Sequence, residues 1–158
     1  NSMISTLKII FIISLYFPIT ILIREFDNGL FLTLFIFITV TATDTCAYFV
    51  GKYFGTHTIS SISPKKTWEG TFGGIFFACL ISLSFSHFFS QATIKLALFS
   101  VFISILAQIG DFYESLIKRT YSIKDSSSLL PGHGGFFDRT DSYIFVFSFI
   151  YITHSFFL

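Results

Sequence analysis

The sequence predicts an all-α membrane protein, a polytopic transmembrane helix bundle of about five spanning helices. Three observations support this fold class. Hydrophobic residues make up 53% of the 158 residues, and the mean hydropathy is +0.75. Charged residues make up only 12%, whereas a water-covered domain carries roughly a quarter. Phenylalanine occurs 24 times, which suits a lipid-facing exterior better than an aqueous one.

Five apolar stretches predict the individual spans, because crossing a bilayer takes roughly 20 mostly apolar residues. They are residues 4–23, 30–50, 72–89, 94–109 and 143–157. Pro18 marks a candidate kink in the first stretch. The fourth stretch is short, but it can continue in register through Asp111 and Glu114 to about residue 121. We therefore predict one long fourth helix whose last turns leave the hydrocarbon.

The charged connections predict the orientation of the bundle. Segment 24–28 is net negative, whereas segments 52–66 and 118–139 carry clusters of Lys and Arg. Loops rich in Lys and Arg favour the cytoplasmic side of a membrane. Five helices satisfy this rule when the N-terminus is cytoplasmic and the C-terminus is outside.

Composition also bears on which partners the protein binds and on how many domains it has. The net charge is only +1, so no global field favours nucleic acid. Cys46 and Cys79 lie in apolar stretches without metal-ligand spacing, and we interpret them as free thiols in helix packing. We expect the first stretch to be a retained helix, because no small-residue cleavage site follows it. Residues 1–158 are predicted to form a single domain.

Carboxylates gather near the predicted cytoplasmic face, where ionisable groups usually face a bundle interior or a water-filled cavity. The second, fourth and fifth helices contribute them: Asp44, Asp111, Glu114, Asp138 and Asp141. Clustered carboxylates are more plausible cation ligands than isolated buried acids. Hard oxygen ligands without a Cys/His cluster favour Mg²⁺ over Zn²⁺.

Ordinary structural explanations exist for some of these acids. Asp138 and Asp141 are compatible with caps at a helix N-terminus, where negative charge is favourable. Glu114 is compatible with an i,i+4 ion pair to Lys118 on the same helix face. Asp111 and Asp44 have no base one helical turn away on the apolar side, so these explanations fit them less well.

Two loops supply groups that suit phosphate. Segment 63–70 presents Lys65, Lys66 and hydroxyl groups at the start of a predicted helix. Segment 130–135 is a glycine-rich turn that leads to Arg139 at another helix start. Free backbone amides, helix N-termini and nearby basic side chains bind phosphate groups. Together with the carboxylates, these loops indicate a cytosolic polyphosphate that meets a substrate from the bilayer.

The same residues resemble the signature of the CDP-diacylglycerol synthase family. Segment 115–141 meets every fixed position of S-x-x-K-R-x4-K-D, of the following P-x-H-G-G and of x-x-D-R-x-D. Two further blocks are similar to the family, segment 44–48 with Gly51 and Gly55, and segment 63–70. By motif the resemblance covers about residues 43–141, and elsewhere it rests on hydrophobic character alone.

The resemblance implies transfer of the cytidylyl group of CTP to phosphatidate, giving CDP-diacylglycerol and pyrophosphate. It also implies a homodimer with a Mg²⁺ centre, with K⁺ as a second ion, in a funnel open to the cytosol. A bacterial inner membrane is the expected location. Family members usually carry further spanning helices before this region, so we expect this chain to be the C-terminal catalytic portion.

The resemblance further implies a role for each motif position. Asp111 and Asp138 would hold the metal and, with Lys118 and Arg139, form the catalytic group. The implied substrate-binding residues are Lys65, Lys66, Arg119, Lys124, His133, Gly134 and Gly135. The implied supporting acids around the metal are Asp44, Glu114 and Asp141.

Two other functions fit parts of this pattern. The first is a related CTP-dependent membrane enzyme that acts on another lipid, either a polyprenol kinase or an archaeal-lipid cytidylyltransferase. The His-Gly-Gly-x-x-Asp-Arg block argues more strongly against the kinase. The second is an ion channel or transporter, which needs polar residues along a route across the whole bilayer. The predicted polar groups gather at one face instead.

Overall fold

The computed structural model describes residues 18–60, 63–89, 93–120 and 137–157. Side chains at 137–139, 141 and 154–157 lie outside this description. Five helices occur in the described residues, the first of them, α1, over residues 18–24. The others are α2 Gly29–Phe54, α3 Trp68–Phe85, α4 Thr93–Thr120 and α5 Phe137–Phe157, with a short 3₁₀ turn Ser86–Phe88 after α3.

The helices confirm the predicted polytopic bundle, and the chain is an integral membrane protein. Three helical segments are long and apolar enough to cross a membrane, namely Gly29–Phe54, Trp68–Phe88 and Thr93–Thr120. The fifth helix contains a shorter apolar segment, Ser142–Thr153. The predicted continuation of the fourth helix is confirmed, because α4 ends at Thr120. Most of the predicted first span lies outside the described residues, so the count of five spans stays a prediction.

Helix α3 packs against α2 through a stripe of small residues. Its buried positions recur every fourth residue and are Gly70, Gly74, Ala78 and Ser82. A Cβ atom on Gly70 would lie 2.6 Å from the carbonyl oxygen of Ala47, and one on Gly74 would lie 3.0 Å from that of Thr43. Small residues allow this close approach of helix backbones inside a membrane. Large side chains of α3, among them Phe72 and Phe76, are exposed and face the predicted lipid.

A hydrophobic core fills the end of the bundle that is remote from the α2–α3 connection. Phe35 of α2 lies at its centre, with its ring centroid 5.4 Å from Phe85, 5.9 Å from Phe89 and 6.1 Å from Phe99. Buried aliphatic residues of α4 and α5 complete it: Leu96, Ile103, Val146 and Ile150. Aromatic pairs in these tilted and offset arrangements add favourable contacts to the apolar packing.

Helix α5 runs antiparallel to α4. The ring centroid of Phe149 lies 5.7 Å from that of Phe102, whereas that of Phe145 lies 5.6 Å from that of Tyr113 further along α4. Tyr143 also shares a 2.7 Å hydrogen bond with Thr41 of α2. The first turns of α5 therefore lie toward the end of the bundle where α4 terminates.

The α2–α3 contact predicts a strong penalty for any side chain at Gly70. Replacing Gly70 with Ala forces the two backbones apart, and overpacking of this kind costs about 1–3 kcal/mol of unfolding free energy. Thermal unfolding of the purified protein in detergent, followed by circular dichroism, measures this loss. The control is Leu83→Ala on the same helix, an exposed position where we expect a change within about 0.5 kcal/mol. Equal stability of the two variants would contradict the packing argument.

Candidate functional site

Three helix ends meet at the pole of the bundle opposite the aromatic core. They are the C-terminus of α2, the N-terminus of α3 and the C-terminal part of α4. An ion pair joins them, because the Lys66 ammonium lies 2.8 Å from the Asp111 carboxylate. This pair links the segment that enters α3 to the C-terminal part of α4.

The connection between α2 and α3 folds into a short antiparallel ladder, here called the lysine hairpin (residues 57–60 and 63–68). The amide of Ile59 donates to the carbonyl oxygen of Lys66 over 2.9 Å, and the amide of Trp68 donates to that of His57 over 3.0 Å. The amide of Lys66 also donates to the carbonyl oxygen of Ser63 over 3.0 Å, which tightens the turn. These bonds give a surface loop a defined backbone conformation.

Thr67 ends the hairpin and begins α3. It is the N-cap residue, and its hydroxyl accepts a 3.2 Å hydrogen bond from the amide of Gly70. A Cβ atom on Gly51 of α2 would lie 2.9 Å from this hydroxyl, so the cap packs directly on the neighbouring helix. Because the cap orients the chain that enters the helix, it also orients Lys65 and Lys66 just before it.

A cavity of about 510 Å³ lies beneath the hairpin, between α2, α3 and α4. Its polar lining includes Asp44, Lys65, Lys66, Gln108, Asp111 and Ser115. Its apolar lining includes Tyr48, Trp68, Ile105, Ile109 and Phe112. A volume of this size falls in the range of small-molecule sites, and a few converging polar groups in an apolar pocket are typical of such sites.

Apolar side chains of the cavity lining reach the outer surface of the bundle. Tyr48 is 60% exposed, and Trp68 and Ile109 are each 52% exposed. In an integral membrane protein such surfaces near a helix end lie at or below the lipid headgroups. The arrangement thus places charged groups and lipid-facing apolar groups around a single space.

The Lys66–Asp111 pair is the electrostatic link within the cavity. The Lys66 side chain is 24% exposed and the Asp111 side chain 41% exposed. The Lys66 ammonium also lies 5.6 Å from the ring centroid of Phe112, which adds a cation–π contact. Asp111 therefore holds one cation in this structure and retains carboxylate surface that faces the cavity.

Glu114 and Lys118 form the i,i+4 ion pair that the sequence left open. Their charged atoms lie 2.7 Å apart, with the Glu114 side chain 5% exposed and the Lys118 side chain 18% exposed. Neither residue belongs to the cavity lining, and Arg119 is exposed at the end of α4. The structure therefore gathers Asp44, Asp111 and the two hairpin lysines around the cavity and leaves these three α4 residues beside it.

The remaining predicted site residues are not described at the level of side chains. Lys124, His133, Gly134 and Gly135 lie outside the described residues. Asp138, Arg139 and Asp141 belong to the first turns of α5, and their side chains lie outside the description. Within the described ranges no group of three or more His, Cys, Asp or Glu residues could hold a metal ion. The metal site and these residue roles stay predictions.

Sequence reasoning missed five residues of α4 that line the cavity: Ile105, Gln108, Ile109, Phe112 and Ser115. The amide nitrogen of Gln108 donates to the hydroxyl of Ser104 over 3.3 Å and lies 3.4 Å from the carbonyl oxygen of Thr71. Gln108 precedes Asp111 by three residues and Ser115 follows it by four, so both share its helix face. Helical periodicity applied to Asp111 was the signal that could have found Gln108 and Ser115.

Comparison with known proteins extends over almost the whole chain. Residues 1–157 match the family model described as the cytidylyltransferase family. The chain is 42% identical over 144 residues to phosphatidate cytidylyltransferase of Bacillus subtilis (strain 168), which covers 88% of this chain and 53% of that protein. It is 47% identical over 119 residues to phosphatidate cytidylyltransferase 4, chloroplastic, of Arabidopsis thaliana, covering 74% of this chain and 30% of that protein.

A third relative, phosphatidate cytidylyltransferase of Synechocystis sp., is 39% identical over 130 residues. The match covers 81% of this chain and 44% of that protein. The chain thus spans about half the length of the bacterial relatives it matches, and less of the plant protein.

The buried ion pair of α4 yields a stability prediction. Replacing Lys118 with Met removes one partner of this buried ion pair, and such a loss costs about 3–5 kcal/mol of unfolding free energy. Thermal unfolding in detergent measures the change. The double variant Lys118→Met with Glu114→Gln removes both charges, and we expect it to regain most of the stability. The exposed Lys95→Met is the matched control, and a Lys118→Met protein as stable as this control contradicts the prediction.

Proposed function

The chain belongs to the cytidylyltransferase family, and from that membership we propose that it transfers the cytidylyl group of CTP to phosphatidate. The products are CDP-diacylglycerol and pyrophosphate. The names of the relatives support this choice of substrates. The observation that carries the proposal is the cavity, where two lysines and two carboxylates adjoin lipid-facing apolar side chains. A water-soluble triphosphate and a membrane lipid both find complementary groups there.

The proposed reaction makes modest demands on acid–base chemistry. A phosphate oxygen of phosphatidate attacks the α-phosphorus of CTP, and the bond from that phosphorus to the bridging oxygen of the β-phosphate breaks. The attacking phosphate monoester is already anionic at neutral pH, because its second pKa is about 6. Catalysis then depends on in-line positioning and on neutralising charge. Lys65 and Lys66 supply positive charge from the hairpin side of the cavity.

Mg²⁺ is the proposed metal, with K⁺ as a second ion. The donor chemistry of the cavity fits such an ion, since Asp44 and Asp111 both present carboxylate oxygens there and Asp111 already holds the Lys66 ammonium. Asp111 and Asp138 are the proposed ligands, with Asp44, Glu114 and Asp141 as supporting acids. When bound, Mg²⁺ neutralises the triphosphate and the departing pyrophosphate.

Further residues complete the proposed site on the strength of the family signature. Lys118 and Arg139 are the proposed catalytic cations beside the metal ligands. The proposed nucleotide and phosphate contacts of the basic segment are Arg119, Lys124, His133, Gly134 and Gly135. We also propose that the protein is a homodimer in a bacterial inner membrane. The two basic segments, which favour a cytoplasmic location, support a site that faces the cytoplasm.

Incorporation of radiolabelled CTP into lipid tests the proposed reaction directly. The purified chain in detergent receives phosphatidate and CTP, with and without Mg²⁺, and the lipid product is identified by chromatography. We expect metal-dependent formation of CDP-diacylglycerol. If a product forms from a polyprenol or an archaeal lipid but not from phosphatidate, that lipid replaces phosphatidate as the proposed substrate. Absence of any CDP-lipid from a folded chain, and from a version extended to the length of the bacterial relatives, would overturn the function.

Substitution of Asp111 tests its assigned role. Asp111→Asn keeps the shape of the side chain but removes the charge, so we expect turnover to fall by about 10³-fold or more. Asp138→Asn is expected to behave alike, and both proteins should unfold near the wild-type temperature. Asp27→Asn, an exposed acid in the α1–α2 turn, is the control and should retain wild-type turnover. A full-rate Asp111→Asn enzyme at low Mg²⁺ contradicts the assignment.

The hairpin lysines are tested by their effect on substrate affinity. Lys65→Gln and Lys66→Gln each remove one positive charge from the cavity lining, and we expect KM for CTP or for phosphatidate to rise about tenfold. Steady-state kinetics with each substrate varied in turn separates the two cases. The control, Lys95→Gln, removes an exposed charge from the start of α4 and should leave both KM values unchanged. Unchanged KM values in both hairpin variants would contradict a role of these lysines in substrate binding.

A further inference from the structure

The carboxylate of Glu69, in the first turn of α3, collects hydrogen bonds from the chain that enters the lysine hairpin. The hydroxyl of Thr56 donates to its Oε1 over 2.7 Å. The backbone amide of His57 lies 3.2 Å and 3.3 Å from its two oxygens. The ring Nδ1 of His57 lies 2.7 Å from Oε1, and Nδ1 is the donor because a carboxylate only accepts.

Glu69 is an acid in the first turn of α3, but it is not the N-cap of that helix. The N-cap of α3 is Thr67, whose hydroxyl accepts from the Gly70 amide. An acid in the first turn also interacts favourably with the helix dipole, and Glu69 shares that general benefit. Its hydrogen bonds, however, go to Thr56 and His57, which lie before the hairpin and outside the helix. The contacts tie together two parts of the chain that are 12 to 13 residues apart.

These contacts hold the two arms of the hairpin in place relative to each other. The first arm is attached to Glu69 through His57, and His57 in turn accepts a backbone hydrogen bond from Trp68 of the second arm. The next link is the bond from the Ile59 amide to the Lys66 carbonyl oxygen. Three consecutive links thus cross the base of the hairpin: the contacts of Glu69, the bond from Trp68 to His57 and the bond from Ile59 to Lys66.

The hairpin carries its lysines to the cavity, but Glu69 itself is not part of the lining. The ammonium of Lys66 reaches Asp111 at 2.8 Å, and Lys65 also lines the cavity. Lysine side chains are flexible, so the position of their charge depends on how firmly the backbone beneath them is held. Loss of the Glu69 links removes one end of this set of cross-links and weakens the hold on that register.

We propose that Glu69 is a positioning residue, which holds the lysine hairpin in the register that presents Lys65 and Lys66 to the cavity. The proposal deepens the proposed function and rests on it for the kinetic consequence. Its structural consequence, the placement of Lys66 against Asp111, can be measured without any turnover. The two consequences are therefore tested separately.

Amine footprinting tests the structural consequence. The protein in detergent is treated with an acetylating N-hydroxysuccinimide ester, and the extent of labelling at each lysine is read by mass spectrometry. In the wild type we expect slow labelling of Lys66, which is largely covered and paired with Asp111. In Glu69→Ala we expect Lys66 labelling to rise several-fold while the exposed Lys95 labels at an unchanged rate.

Three further variants make the footprint specific. Glu69→Gln keeps an oxygen acceptor for the Thr56 hydroxyl and the His57 amide, and should protect Lys66 better than Glu69→Ala does. The matched control is Glu25→Ala, which removes an exposed acid from the α1–α2 turn and should leave Lys66 protected. If Glu69→Ala does not fold, the double variant Thr56→Val with His57→Ala removes the two side-chain donors at exposed positions instead. Unchanged Lys66 labelling in the folded variants overturns the proposal.

A double-mutant cycle tests the kinetic consequence. If Glu69 acts only through the hairpin lysines, Glu69→Ala raises KM about tenfold in the wild-type background and has little effect once both lysines are Gln. A smaller change in kcat than in KM is expected, because the variant disturbs substrate binding. Equal effects in both backgrounds mean that Glu69 acts elsewhere, which overturns the proposal. Restored Lys66 protection in Glu69→Gln should be accompanied by a restored KM.

The two measurements also separate failure of this inference from failure of the proposed function. An active wild type with additive kinetics and an unchanged footprint overturns the positioning role alone. A wild type that makes no CDP-lipid, together with the expected change in footprint, overturns the proposed reaction and leaves the positioning role supported.

Discussion

The close approach of α2 and α3 is the constraint on which the rest of the structure depends. At Gly70 the two backbones are so near that even a methyl group would lie 2.6 Å from the Ala47 carbonyl oxygen. Inside a bilayer the hydrophobic effect does not drive helices together, so close packing of small residues has to do so. This contact fixes where α2 ends and α3 begins. It therefore fixes the ends of the lysine hairpin and the direction in which Lys66 can extend.

The two poles of the bundle differ in their packing: one holds the aromatic core and the other holds the cavity. At one pole the large rings of Phe35, Phe85 and Phe99 supply packing, and at the other the helices meet through glycine and threonine. Helix α4 spans both regions, and its inward face changes from Phe99 and Ile103 to Gly110 and Glu114. The cavity lies at this second pole, where Gln108, Asp111 and Ser115 of α4 contribute to its lining. An apolar core of full-sized side chains in the same place would fill that space.

The sequence predicted local features well and long-range pairings poorly. The spacing of Asp111 and Glu114 in an apolar background predicted that α4 continues beyond its hydrophobic stretch, because helical continuity is a local property. The Glu114–Lys118 ion pair could also be predicted from the sequence, since i,i+4 neighbours follow from helix geometry. The ion pair of Lys66 with Asp111 could not be predicted, because the two residues lie 45 positions apart and meet only through the packing of α3 against α4. The contacts of Glu69 to Thr56 and His57 depend on a hairpin register that no helical or strand period encodes.

The charge balance of the cavity indicates that the proposed site needs further positive groups. Its ionised side chains are Lys65 and Lys66 against Asp44 and Asp111, so their formal charges cancel. Each phosphate group of the proposed substrates adds between one and two negative charges at neutral pH. A balanced cavity cannot neutralise a triphosphate and a phosphate monoester held side by side in a region of reduced dielectric. In the proposed function this additional positive charge comes from Mg²⁺ and from the basic segment 118–139. The lysine hairpin thus lies at one side of the proposed site, and we propose that the basic segment completes the other.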